Sequence, residues 1–304
     1  MPSNLIQKGT SAGKTLSGLI KAVDSLANLD PGYEKKPDGV WGSRAVIRCG
    51  NLELRSEELD FDFTVSFDDD LEANETEITV YNLSRDSASR IRKDLPINIS
   101  AGYGDDTGIL FSGTVNRVRT RHESPDVITV INCLDDTKDH TVESIAFSAG
   151  TSASYILRQL LDKTGLPVAV FQPRRDYVYE NEQTVDGDLM AAIKKYAQVC
   201  GVSAYVLGGK VFCRYLKEGD NIGFTVCEET GMIGSPEPFE EEETAEDFSE
   251  TVNGYTVKML LQHRIKTAAI IDLRSVDASG RFRVRKGTHT FQCNGEALTE
   301  IEVI

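Results

Sequence analysis

The chain has 304 residues, 40% hydrophobic and 27% charged, a composition typical of folded globular domains. Its formal charge of −15, from 48 acidic and 33 basic side chains, argues against a protein that grips nucleic acid, because that affinity comes largely from Lys and Arg on phosphates. There is no apolar run of the roughly 20 residues that cross a bilayer and no signal-peptide pattern. The six cysteines are scattered without metal-ligand spacing, so we expect buried thiols in a protein made in a cytoplasm.

The first 42 residues predict an amphipathic helix followed by a linker. Apolar side chains recur at helical spacing until Asp30-Pro31-Gly32 stops the pattern. Either this helix packs on the core of its own chain or it docks on a neighbouring subunit. For docking, the candidate residues are Leu16, Leu19, Ile20, Val23 and Leu26.

Residues 43–149 predict a first β module. Short alternating or apolar runs, such as Phe61–Phe67 and Ile97–Ala101, have strand length and are separated by turns. One short helix over Arg85–Lys93, with Ser84 as its N-cap, interrupts them. Many short strands of this kind indicate a small barrel.

Residues 150–215 predict an inserted α+β module. A helix capped by Ser152 or Ser154 precedes two strands, the second over Tyr177–Tyr179. A second helix over Gly187–Cys200 leads to a hairpin around Gly208-Gly209.

Residues 216–304 return to a β pattern and predict a second barrel module. Within it the acidic run Glu240–Glu243 is typical of a solvated loop. The order of this region echoes the first module: Ala268–Leu273 corresponds to Ile97–Ala101, and Leu298–Val303 to Val127–Ile131. The sequence therefore predicts a mainly β fold with two similar modules flanking the insert.

No catalytic, cofactor or metal motif is readable. Gly9–Thr15 resembles a phosphate-binding loop but has one residue too few between its glycines. The four histidines, His122, His140, His263 and His289, have no metal-binding spacing, and in its strand His289 is expected to be exposed or internally hydrogen-bonded. We predict no enzymatic activity and no cofactor.

One ordered series of motifs resembles a known family. Ile78-Thr79-Val80-Tyr81-Asn82-Leu83-Ser84 is followed by Ala101-Gly102-Tyr103 and by Leu110-Phe111-Ser112-Gly113. Ile233–Pro238, Gly287–Thr290 and Thr299–Val303 continue the series. In this order they resemble the baseplate hub proteins of contractile-tailed phages and tailocins, the PBSX-like hubs, over most of the chain from about Val46 onward.

The resemblance implies that both β modules are barrels of tail-tube type and that the chain forms a trimer in the tail baseplate of a virion, assembled in the host cytoplasm. Its implied partners are the tail tube protein, the spike protein and other baseplate proteins, with DNA passing through without specific binding. We also expect part of the acidic excess to face the channel. The alternatives are another tail-tip or tube structural protein and a tail-tip cell-wall hydrolase.

Overall fold

A computed structural model of the chain describes residues 42–135, 141–245 and 248–304, without the side chains of 141–143, 242–245 and 248–250. The predicted N-terminal helix lies outside these ranges. No helix in the described ranges is long and apolar enough to cross a bilayer.

The first β region contains eight strands and one short helix. The strands are β1 (Ser43–Cys49), β2 (Leu52–Arg55), β3 (Phe61–Phe67), β4 (Glu75–Tyr81), β5 (Pro96–Tyr103), β6 (Asp106–Glu123), β7 (Asp126–Leu134) and β8 (Thr141–Phe147). Helix α1 (Arg85–Arg90) lies between β4 and β5, and the Ser84 hydroxyl accepts a hydrogen bond from Ser87 N at 3.1 Å. The predicted N-cap is confirmed, although the helix ends earlier than predicted.

The middle of the chain contains helices α2 (Ala153–Lys163) and α3 (Leu189–Val199) with strands β9 (Val168–Phe171), β10 (Gln183–Asp188), β11 (Ser203–Leu207) and β12 (Lys210–Arg214). Ser152 caps α2 and Asp188 caps α3. The hairpin around Gly208-Gly209 is confirmed. The strand predicted over Tyr177–Tyr179 is wrong, because only one isolated bridge, Ser152 to Val178, forms there.

The last region contains β13 (Asp220–Val226), a short 3-10 helix (Glu228–Thr230), β14 (Met232–Ala245), β15 (Phe248–Leu260), β16 (Ala269–Arg274), β17 (Ser279–Phe291) and β18 (Ala297–Val303). The loop predicted for Glu240–Glu243 is wrong, because these residues lie within β14. β14 is the end strand of its sheet. Edge strands, like loops, are rich in charged residues and prolines, because these residues keep an open edge from pairing with other chains. The sequence pattern of an edge strand therefore resembles that of a loop.

A 13-stranded sheet joins the two β regions. Its strand order is β14-β15-β18-β17-β3-β4-β7-β6-β5-β1-β2, and β13 and β16 pair beside β17. The long strand β17 serves both regions: Ile270 and Ile271 of β16 pair with its first half, whereas Phe63–Phe67 of β3 pairs with its second half. The fold is therefore mainly β, as predicted.

The strand order of the first region recurs in the second. The antiparallel path β3-β4-β7-β6-β5 has the same order as β14-β15-β18-β17-β16. The next pairing differs, since β5 binds β1 antiparallel whereas β16 binds β13 parallel. The segments that resemble each other in the sequence thus form strands at the same positions of the two paths, β5 with β16 and β7 with β18.

Three clusters of buried side chains lie beneath these elements. One belongs mainly to β1–β7, one to the α2 and α3 region and one to β13–β18. Phe147 of β8 joins the second cluster, and β8 pairs with β10. The division of the chain into domains at 43–149, 150–215 and 216–304 stays a prediction.

Candidate assembly surfaces

The outward face of the large sheet is polar across its central strands. The residues Thr290, Thr64, Glu77, Asn132 and Arg117 are successive cross-strand neighbours in one row over β17, β3, β4, β7 and β6. Their sequence neighbours Phe63, Ile78 and Ile131 are buried on the opposite face. Strand alternation therefore gives the sheet one face for its core and one for water or for another chain.

A buried ion pair joins the end of β3 to β17. Asp69, the second residue after β3, accepts a hydrogen bond at its Oδ2 from Arg283 Nη1 at 2.6 Å, and the side chains of Asp69 and Arg283 are 10% and 1% exposed. Arg285 Nε lies 3.8 Å from Asp69 Oδ1, and its Nη1 lies 3.1 Å from Glu241 Oε2. Ion pairs therefore link the two β regions in addition to the strand pairing between β3 and β17.

The inserted region contacts the same Asp69–Arg283 pair. The Ser203 hydroxyl donates to Asp69 O at 3.3 Å, and the Arg283 guanidinium lies 5.5 Å from the centre of the Tyr205 ring. Arg214 Nε donates to the Tyr205 hydroxyl at 2.8 Å. We call Asp68, Asp69, Tyr205 and Arg283 the junction, because they bring together the first β region, the insert and the last β region.

The junction also holds an acidic group with a displaced pKa. Burial and the neighbouring Asp70 carboxyl raise the pKa of Asp68 from its ordinary 3.8 to about 7. The backbone carbonyl of Asp68 accepts a hydrogen bond from Thr267 of the last β region at 2.8 Å. Sequence reasoning missed the junction; its signal was the Asp68-Asp69-Asp70 run together with the alternating Arg281, Arg283 and Arg285 of β17.

His289 is buried and internally hydrogen-bonded, one of the two outcomes expected of it. Its Nδ1 lies 2.8 Å from the Thr299 hydroxyl and its Nε2 lies 3.2 Å from Ile265 O, so the neutral ring that donates from Nε2 satisfies both contacts. Burial lowers its pKa to about 3. The imidazole is therefore a neutral core residue that ties β17 and β18 to the segment before β16.

The cysteines have the character of buried thiols. Cys49, Cys133, Cys200 and Cys213 are buried and Cys227 and Cys293 half-buried, all as free thiols. Burial raises the pKa of Cys133 to about 12 and that of Cys200 to about 11. Such thiols stay protonated at neutral pH and are poor nucleophiles. Within the described ranges no three His, Cys, Asp or Glu residues are grouped as metal ligands.

The predicted docking helix cannot be compared with these surfaces. Its candidate residues lie outside the described part of the chain. That this helix contacts a neighbouring subunit stays a prediction.

Comparison with known proteins identifies the family. The family described as "Baseplate hub gp41" matches residues 73–277, more than half of the chain. No curated protein matches.

The fold is shared with solved tail proteins. The 43 kDa tail protein of prophage MuSo2 from Shewanella oneidensis has a TM-score of 0.61 at 8% identity, over 86% of this chain and 97% of that one. A tail protein from Neisseria meningitidis has a TM-score of 0.58 at 9% identity, over 86% and 96%.

A third similar structure is a component of the Escherichia coli type VI secretion system, with a TM-score of 0.54 at 9% identity, over 85% of this chain and 76% of that one. It is described as structurally similar to the bacteriophage T4 tail proteins gp27 and gp5. The prediction of no enzymatic activity is consistent with such a structural family. The family match and the shared fold together show that this chain belongs to the baseplate hub gp41 family and is a structural component of a tail baseplate.

Proposed function

We propose that three copies of this chain form a ring in the baseplate of a contractile tail. In this ring the hub joins the six-fold tail tube to the three-fold spike and leaves an axial channel for DNA. The observation that carries the proposal is the repeated strand order, β3-β4-β7-β6-β5 and β14-β15-β18-β17-β16. A chain with two similar modules presents six of them in a trimer, which is how a three-fold object matches a six-fold one.

The way the modules are joined supports a rigid ring. β17 pairs with β16 and β18 of the last region and with β3 of the first. The Asp69–Arg283 pair lies at the same seam, at 2.6 Å. Both modules of one copy would therefore keep a fixed angle, and a ring closes only when that angle is fixed.

The outward face of the sheet suits an aqueous channel. Its central strands present hydroxyls and carboxylates, including Thr64, Glu77, Thr288 and Glu300. Strands β3 and β4 carry no Lys or Arg, and each such cation on a phosphate would add affinity that slows passage. We propose that this face lines the channel and that part of the −15 charge serves that purpose.

The proposed partners are the tail tube protein above, the spike below and other baseplate proteins around the ring, with assembly in the host cytoplasm. We also propose two barrel modules at 43–149 and 216–304, an insert at 150–215 and a docking helix within 1–42. That the chain catalyses nothing stays part of the proposal, and a peptidoglycan zymogram that clears a band would contradict it.

The experiment is cryo-electron microscopy of the native tail. We expect the hub as one ring between tube and spike, with the face of Thr64 and Glu77 toward the axis. A hub on the periphery of the baseplate, or that face on the outside of the ring, would contradict the proposed arrangement.

A further inference from the structure

The large sheet has one open strand edge at an end of its path and another on an interior strand that extends beyond its neighbour. At one end β14 pairs only with β15 among the described strands. Within the path, β5 and the residues just before it cover β6 only up to Val115, so that the rest of β6 pairs only with β7. Charges and prolines along such an edge oppose backbone pairing with another chain, so a partner is contacted through the side chains of the edge.

The free end of β6 is basic on its outward face. A bulge between Val115 and Arg117 shifts the alternation of the strand, so that Val115 points into the core while Arg117, Arg119 and Arg121 are exposed. Arg121 is paired with Glu123 at 3.1 Å. Arg117 and Arg119 have no ion-pair partner in the described ranges. A bulge that re-aims side chains in this way is typical of a functional surface.

The edge strand β14 is acidic. Glu237, Glu240 and Glu241 are exposed along it, and Glu241 is paired with Arg285 at 3.1 Å. Glu237 is the outward cross-strand neighbour of Thr256, which is in turn the neighbour of Glu302. Glu237 and Glu240 have no cationic partner in the part of the chain that the structure describes.

We propose that the basic edge of β6 in one copy docks on the acidic edge of β14 in the next copy. The occupant of each edge is thus a second copy of this chain, and the inference rests on the proposed ring. Opposite charges on two different edges favour a head-to-tail contact, which closes into a ring when the rotation permits. Contact between like edges is opposed by repulsion, so the same charges disfavour assemblies in which β6 meets β6 or β14 meets β14.

The proposed contact also explains how Arg117 and Arg119 can lie near a channel that must not bind DNA. Arg117 and Arg119 lie on the face proposed to line the channel, where free cations would hold phosphates. Facing the carboxylates of the neighbouring copy, they are neutralised within the ring. The basic edge is therefore part of the subunit interface rather than a site for nucleic acid.

The test is a charge exchange in the full chain, produced with the complete set of tail proteins. The first variant is Arg117→Glu with Arg119→Glu, the second is Glu237→Lys with Glu240→Lys, and the third combines all four changes. The control is Lys194→Glu, an exposed lysine on α3 of the inserted region, which is not part of the large sheet. Hub incorporated per purified tail particle is measured by quantitative mass spectrometry, and thermal unfolding of each purified variant shows that it folds.

We expect each two-site reversal to reduce incorporation at least about tenfold, the effect of roughly 1.4 kcal/mol at the contact. The four-site exchange should restore it, and the control should match wild type. Folded reversal variants that incorporate like wild type would overturn the inference, as would a folded four-site variant no better than the two reversals. The proposed function fails differently, through tail images that show the wild-type hub outside the axial ring.

Discussion

Asp69 and Arg283 form a buried ion pair between the two β regions. Both side chains are withdrawn from water, at 10% and 1% exposure, and the oxygen to nitrogen distance is 2.6 Å. In a buried pair the cost of removing water from both charges offsets much of their attraction. What matters more is that loss of one partner leaves the other as a buried charge without compensation.

We therefore expect Asp69→Asn to lower the free energy of unfolding by about 3 kcal/mol. The matched control is Asp162→Asn, which removes an exposed ion pair with Arg158 at 3.7 Å and should cost no more than about 0.5 kcal/mol. Urea unfolding of the two purified variants measures both values. Equal losses in the two variants would show that the junction does not hold the regions together.

Asp68 makes the junction sensitive to pH. Its pKa of about 7 in the fold exceeds the ordinary 3.8, so the folded chain holds this proton more firmly than the unfolded chain. The stability it contributes is fully present below about pH 4 and is lost as the pH rises through about 7. His289 acts in the opposite sense, because its lowered pKa removes stability as the pH falls below its ordinary 6.5.

The two contributions separate in a variant that cannot ionise at position 68. We expect Asp68→Asn to gain stability relative to wild type as the pH is raised from 5 to 8. The measurement is the difference in unfolding free energy between variant and wild type across that range. A difference that stays constant with pH would mean that the Asp68 carboxyl is already ionised at pH 5.

At the scale of elements, local signals predicted more than long-range ones. The hairpin Ser203–Arg214 and the cap at Ser84 follow from turn and capping chemistry within a few residues. The Tyr81-Asn82-Leu83-Ser84 motif also needs its asparagine for a local reason. The backbone of Asn82 is left-handed, at φ 54°, and the Asn82 Oδ1 accepts a hydrogen bond from Val127 N at 3.0 Å. Asn tolerates that conformation better than other non-glycine residues.

The close approaches of strands explain the glycines of the recognised motifs. A Cβ on Gly102 would lie 2.0 Å from Asp106 O, and one on Gly113 would lie 2.3 Å from Leu134 O. Neither approach can be derived from the sequence, because each depends on which strand crosses which. The junction and the pairing of β8 with β10 could not be predicted either, because both join residues that are far apart in the chain.

The acidic run shows where composition misleads. Glu240–Glu243 has the charge of a solvated loop, yet it forms part of the edge strand β14. Charge along an open edge and charge in a loop both reflect exposure to water. The strand pairing distinguishes the two cases, as in the pairs of Phe239 with Gly254 and of Glu241 with Val252.

A deletion tests whether the predicted N-terminal helix docks on a neighbouring subunit. We expect deletion of residues 1–31 to leave a folded, soluble chain that no longer enters the baseplate, because the linker separates the helix from the first strand. Circular dichroism of the truncated chain and its recovery in purified tails measure the two properties. Aggregation or unfolding of the truncated chain would assign Leu16, Leu19, Ile20, Val23 and Leu26 to the core of their own subunit instead.

For the molecule as a whole, the family and the mainly β architecture were predictable, because they rest on an ordered series of motifs and on strand periodicity. The internal duplication was visible in the sequence only as an echo. In the structure it becomes a repeated path of five strands, joined through the shared strand β17. That duplication is the physical basis for a three-fold ring that matches six-fold symmetry.

Copy number tests this account most directly. Native mass measurement of the hub bound to its spike, released intact from purified tails, should give three hub chains per complex. Interfaces of permanent assemblies commonly bury more than about 2,000 Å², so the complex should survive dilution. A stable complex with six hub chains would contradict the account, because duplicated modules would then present twelve sites to a six-fold tube.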